Sequence, residues 1–302
     1  MLGKNAAMSW EPLARALQTF DEVIAELNVR LAPDSPVASQ LTTVRQFMSD
    51  RERMSEMDLA VKWTEGDFQP FYDAVIVVGR LTGAVARLRT QPGQLRTRLR
   101  QVLSGSLTQD FVPQQAKDYF YELEIAATLL RAGFDVRLRE PDIVVSGNGL
   151  SRELGLACKY PSREAQLHDH ISKGYRQISD QALEGCVVMG LDAIVFNTIF
   201  QSRPKCLDFR QGTRHPLDVT NDQTAHAVKV LLQQRDDYPS ERPLDGAILT
   251  LSMWGLWGKP AGFISVTSWT IQCDATNPIL PDVERIVTAA RERGSDDVPP
   301  RH

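Results

Sequence analysis

The stretch YFYELEIAATLLRAGFDVRLREPDIVVSGNGLSRELGLACKYPSREAQLHDHISKGYRQ, residues 119–177, decides the fold of this chain. It opens within a helix-like run over about 115–132, in which Phe120, Ile125, Leu129 and Leu130 supply apolar contacts. Gly133 is a suitable stop, because glycine readily takes the left-handed conformation that closes helices. Two strand-like runs follow, EPDIVV and SRELGLACKYP. Between them lies Ser146-Gly147-Asn148-Gly149, a turn signal that predicts a β-hairpin. Pro161-Ser162 ends the second strand, and a further helix is expected over about 167–184.

The residues able to do chemistry sit at the ends of these elements. Asp142 stands between Pro141 and an Ile-Val-Val run, which places a carboxylate at the mouth of a strand destined for burial. Such a group is costly without a partner, so a metal ion or the Lys159 ammonium is expected beside it. Strand side chains alternate, so residues 153, 155, 157 and 159 share one face and Cys158 points to the other. The hairpin therefore brings Asp142 across from Lys159. On the preceding helix, Glu122 and Glu124 are two residues apart and cannot face the same way.

Taken together, Glu122 on a helix, Pro141-Asp142 opening one strand, Cys158-Lys159 closing the next and a helix behind them resemble the core of the PD-(D/E)XK phosphodiesterase superfamily. The resemblance implies a restriction-endonuclease-like α/β/α core with a mixed sheet, and metal-dependent hydrolysis of nucleic acid, DNA more than RNA. It assigns Asp142 as ligand of Mg²⁺ (or Mn²⁺), Glu122 as supporting acid and possible ligand, and the Cys158 backbone carbonyl as a further ligand. Lys159 would orient the attacking water and stabilise charge growing at phosphorus. Lys173 and Gln177, one turn apart on the following helix, are implied as contacts to the scissile phosphate.

Ala157 departs from the pattern, which puts Asp or Glu there. Three readings stay open: an active nuclease with a relocated acid (Glu122 or Glu153), a pseudo-nuclease that binds nucleic acid or organises an assembly without cutting, or a catalytic glutamate replaced by alanine. Restoring glutamate at 157 is the expected discriminating substitution.

With 302 residues, 42% hydrophobic and 24% charged, the chain has the composition of an ordinary globular protein with ample core. A net charge of −4 gives no global sign of nucleic-acid binding, so any positive surface must be local. The four cysteines, Cys158, Cys186, Cys206 and Cys273, form no CxxC pair, which argues against a zinc module or disulfide framework and favours a reducing, cytoplasmic setting. No apolar run reaches the ~20 residues of a membrane helix, and no signal segment is expected.

Residues 1–105 read as a helical N-terminal region and 106–302 as the nuclease-like core. Helices are expected over about 9–31, with Ser9 as cap, and over about 37–50, separated by Pro33-Asp34-Ser35-Pro36; the charged stretch to Gly66 is helix-compatible. This region is expected either to pack on the core or to serve a homodimer or protein partner. Between Asp73 and Asp110 there is no acidic residue, while Arg80, Arg87, Arg89, Arg96, Arg98 and Arg100 all fall there. They suit phosphate contacts, or equally ion pairs with acids elsewhere in the chain. His168 and His170, two apart on a helix, should diverge and remain exposed rather than chelate. Beyond the core stretch, CVVMGLDAIVF from 186 reads as a buried strand, residues 201–217 as a basic loop, 220–235 as a helix, GAILTLSMWGLW and GFISVTSWTIQ as strands, and 281–293 as a last helix. Trp254, Trp257 and Trp269 are candidates for base stacking, though core positions suit them as well.

Overall fold

The structure, a computed structural model, describes residues 10–64, 69–105, 115–195, 207–208, 216–233, 247–257, 262–272 and 275–294. Five helices come first: α1 (Trp10–Glu26), α2 (Pro36–Arg53), α3 (Glu56–Thr64), α4 (Gln69–Leu88) and α5 (Pro92–Ser104). The break after α1 comes earlier than the periodicity predicts, because Asn28 turns the chain with φ 48°. Ser35 then caps α2, its hydroxyl accepting the Ala38 N–H, with Pro36 at the first turn where no amide partner is needed. The Ser9 cap lies outside the described residues.

The remainder alternates strand and helix: α6 (Gln115–Arg131), β1 (Asp135–Arg139), β2 (Asp142–Ser146), β3 (Leu154–Lys159), α7 (Leu167–Asp180), β4 (Glu184–Gly190), a single turn α8 (Asp192–Ile194), β5 (Leu207–Asp208), α9 (Pro216–Gln233), β6 (Ala247–Trp257), β7 (Gly262–Gln272) and α10 (Leu280–Gly294). One mixed sheet runs β1-β2-β3-β4-β6-β5, with β7 paired along β6. β1, β2 and β3 are antiparallel neighbours, whereas β3, β4 and β6 are parallel. The chain is thus α/β: a helical N-terminal region followed by a mixed sheet with flanking helices.

Three expectations shift. The run from 186 divides into β4 and α8, because Gly190 ends the strand and Asp192 opens a helical turn. The β2–β3 connection spans 147–153, with Gly147, Asn148 and Gly149 all at positive φ, so it is a loop rather than a two-residue turn. β1, whose burial alternates along Asp135–Arg139, carries a period-two pattern too short to separate from the preceding helix by sequence. Most of the expected basic loop at 201–217, the start of the core at 106–114 and the side chains of Trp254 and Trp257 lie outside the described residues; Trp269 is buried.

The helical region and the sheet share one core. A single apolar cluster runs from Leu17 and Phe20 of α1 through Val78 and Leu81 of α4 and Leu99 of α5 to Leu123 of α6, Leu156 of β3 and Ile286 of α10. A smaller cluster, with Ile171 of α7 against Val187 and Met189 of β4, fills the opposite face of the sheet. No described helix is long and apolar enough to cross a membrane.

Candidate active site

The hairpin geometry expected from alternation is present. β2 pairs with β3 through Ile143↔Leu156, so Asp142 stands one step beyond that pair, where the ladder ends and room opens for a side chain. Its carboxylate Oδ2 accepts the backbone N–H of Cys158 at 2.7 Å and the Lys159 ammonium at 3.2 Å. Both side chains are largely buried, at 17% and 14% exposure, so this ion pair is screened far less than a surface pair. The N–H and C=O of a strand residue point to the same edge, so the Cys158 carbonyl faces the side from which its N–H holds Asp142. The Cys158 thiol packs into the main core, where burial raises its pKa well above that of a free thiol.

α6 brings its acids to the same place. Glu122 is buried, and burial pushes its pKa up to about 8 although the Arg98 guanidinium of α5 touches it and Lys159 also opposes the shift. Arg98 ties the site together, for its Nη2 donates to the Asp142 backbone carbonyl at 3.1 Å and its Nη1 to the Gln94 side chain at 3.0 Å. One turn before Glu122 lies Asp118, an acid that the sequence argument passed over. Its carboxylate accepts the Tyr160 N–H, and burial raises its pKa to about 6 with Asp142 adding to the rise and Lys159 opposing it. Burial likewise raises the pKa of Asp142, again against Lys159. Three carboxylates with suppressed ionisation thus surround one lysine, an arrangement that a bound cation would relieve. The signal for Asp118 was present in the sequence as the four-residue spacing Asp118–Glu122, which places both on one helix face.

α7 covers the far side of the sheet. Gln177 donates to the Pro141 carbonyl at 3.4 Å, beside Asp142, and its own Oε1 is buried without a hydrogen-bond partner. Lys173 is exposed, and its charge is felt by His170. His168 is exposed as expected, but His170 is half-buried, its Nδ1 is buried without a partner, and burial together with Lys159 lowers its pKa. The two histidines, two residues apart on α7, thus differ in exposure.

Ala157 is fully buried beneath Gly174 of α7. A Cβ on Gly174 would come within 3.3 Å of the Ala157 Cβ and 2.7 Å of Val187 Cγ2, so the helix rides against the strand at van der Waals limits. This close packing bears on any larger side chain at position 157. A glutamate there meets α7 at close range, so the substitution tests steric tolerance along with the return of an acid. Glu153, one of the two acids expected to relocate into the gap, is bound instead to Arg137 and, at 2.8 Å, to Arg139 at the opposite end of β3.

The arginine-rich segment resolves largely into ion pairs. Arg80 binds Glu124 through both arms, Arg89 binds Glu22 and Glu26, and Arg98 binds Glu122. Arg100 is exposed and Arg96 half-buried.

Among the described residues no three His, Cys, Asp or Glu side chains converge closely enough to cage a metal ion unaided. The donor set fits a hard divalent cation of the Mg²⁺ type, which is commonly held by one or two carboxylates and completed by water and substrate phosphate. Asp142, with the Cys158 carbonyl beside it and Glu122 behind, offers that partial set. No family model, curated protein or solved structure matches the chain.

Proposed function

We propose that the protein hydrolyses phosphodiester bonds in nucleic acid, DNA in preference to RNA, using a divalent cation. The observation that carries this reading is the meeting of Asp142 and Lys159 at 3.2 Å beside a group of half-suppressed carboxylates, which supports the resemblance to PD-(D/E)XK nucleases. Asp142 would hold Mg²⁺ or Mn²⁺, with the Cys158 carbonyl and Glu122 as supporting donors. The ion would supply charge stabilisation at the attacking and leaving oxygens.

The chain's own residues carry the remaining work. Lys159, held at 3.2 Å from the Asp142 carboxylate, donates to the attacking water or to a non-bridging phosphate oxygen, where negative charge grows in the transition state. Asp118, ionising near pH 6, is available near neutrality to accept a proton from that water. Arg98 fixes Glu122 and the start of β2 relative to each other, so the helical region positions the site without touching substrate. Gln177, with its free acceptor, is suited to the substrate backbone or an ordered water.

A second reading, a module of the same scaffold that binds nucleic acid without cutting, is favoured by two features. The position where the superfamily pattern puts an acid is Ala157, packed closely against Gly174, and Glu122 is engaged by Arg98. A cleavage screen across circular, linear and single-stranded DNA and RNA, with Mg²⁺ and with Mn²⁺, separates the two. Cleavage that EDTA abolishes supports the hydrolase. Retention of a substrate in a mobility-shift assay with no product under any ion supports the binding module, and the absence of both cleavage and retention overturns both readings.

A further inference from the structure

α7 meets the sheet through Gly174, which lies against Ala157 and Val187 on the face of β3 that also carries Lys159. His170 stands four residues before Gly174 and Gln177 three after it, so both fall on this same side of the helix. Each carries a buried polar atom without a hydrogen-bond partner, Nδ1 of His170 and Oε1 of Gln177. Native folds seldom leave such atoms unpaired, and a bound group is one thing that satisfies them.

The charges around His170 say what kind of group. Burial lowers the pKa of its ring, Lys159 and Lys173 lower it further, and Asp169 opposes them. Lys159 acts from β3 with its charge shared by Asp142, whereas Lys173 is exposed and has no ion pair among the described residues. An anion arriving from solvent is thus drawn toward a half-buried ring that stays neutral and still has an N–H to donate. Spacing then says how large the anion is. Seven residues of helix rise about 10 Å, several times the span of a phosphate group, so His170 and Gln177 cannot grip the same one. Phosphates repeated along a strand can meet both, with Gln177 held at the Asp142 end by its 3.4 Å bond to the Pro141 carbonyl.

We propose that His170 is a substrate-binding residue, its Nδ1–H donating to the phosphate next to the one at Asp142 and Lys159, with Lys173 on the outer side of that second phosphate. The substrate is then a polynucleotide strand laid along α7 rather than an isolated phosphodiester, which rests on the reading that the Asp142–Lys159 centre takes nucleic acid. Two compounds tested with the full-length protein in Mn²⁺ separate the roles: a DNA oligonucleotide, and bis(p-nitrophenyl) phosphate, which has one phosphodiester and no neighbouring phosphate. His170→Phe keeps a ring and loses the donor; it should raise the oligonucleotide Kd at least about fivefold and leave hydrolysis of the small ester within about twofold of wild type, with circular dichroism unchanged. His170→Asn, which returns an amide N–H near the place of Nδ1, should bind the oligonucleotide within about twofold of wild type. Lys159→Ala should lower cleavage of both compounds. The role of His170 is overturned if the Phe and Asn variants bind the oligonucleotide alike, or if His170→Phe slows both compounds equally. If the wild type retains the oligonucleotide but cleaves neither compound, hydrolysis fails and the Phe-against-Asn comparison of Kd alone decides His170; if it does not retain the oligonucleotide, both fall.

Discussion

Glu122 and Glu124 stand two residues apart on one helix and meet two different arginines from the helical region, Arg98 of α5 and Arg80 of α4. The contrast between the pairs explains how the molecule is divided. Glu122 looks toward Asp142 and Lys159, and its arginine also clasps the backbone of Asp142, so that pair belongs to a site. Glu124 looks the other way, where its arginine senses a second buried acid, Asp192, whose pKa burial raises to about 6. That pair lines a cavity between α4, α6 and the β6–β7 hairpin. The helical region is therefore an integral layer that supplies the counter-ion for both glutamates, and removing it would leave two buried carboxylates uncompensated.

The sharpest way to break this comparison is to delete each glutamate. Glu122→Ala strands Arg98, which is 9% exposed, and should cost about 3–5 kcal/mol in urea unfolding. Glu124→Ala should cost less, because Arg80 is 20% exposed and retains the attraction of Asp192. Equal costs, or the reverse order, would show that the two pairs are not distinguished by their surroundings. Ala157→Glu should destabilise by roughly 1–3 kcal/mol through overpacking against α7, with no gain in any cleavage activity. A stable variant with new activity would instead identify 157 as an acid position.

The pH dependence of stability sharpens the same contrast. The Glu122 pKa is raised in the fold from 4.5 to about 8, so folding takes up a proton between those values. The stability that this contributes is complete below about 4.5 and disappears as pH rises through about 8. Glu122→Gln, which keeps an acceptor for Arg98 and cannot ionise, should flatten the fall in unfolding free energy over that window; an unchanged slope would place the titration elsewhere. At the small end, Arg89→Ala removes exposed pairs with Glu22 and Glu26 and should change stability by less than about 1 kcal/mol.

Much of this organisation was legible from local pattern. β1 apart, the order of elements from α6 to α7 followed from hydrophobic period and from Gly133 and the Gly147–Gly149 turn, and strand alternation was enough to bring Asp142 to Lys159. What escaped was set by packing between distant segments. The arginines of 80–100 read as a basic run because their acids lie elsewhere in the sequence, on α1 and α6. The closeness of Ala157 to Gly174 depends on how α7 docks, which neither residue announces alone. Asp118 was readable from its spacing to Glu122, but its relevance emerges only when β3 delivers the Tyr160 N–H to it.

The central claim is that Asp142 and Lys159 form one hydrolytic centre, and single-turnover cleavage in Mn²⁺ tests it most directly. Wild-type protein should convert a DNA substrate at a rate that Asp142→Asn and Lys159→Ala each lower by at least about 100-fold, with both variants folded and still retaining the substrate in a mobility-shift assay. Cleavage at wild-type rate by either variant, or no cleavage by the wild type across DNA and RNA with both ions, would contradict it.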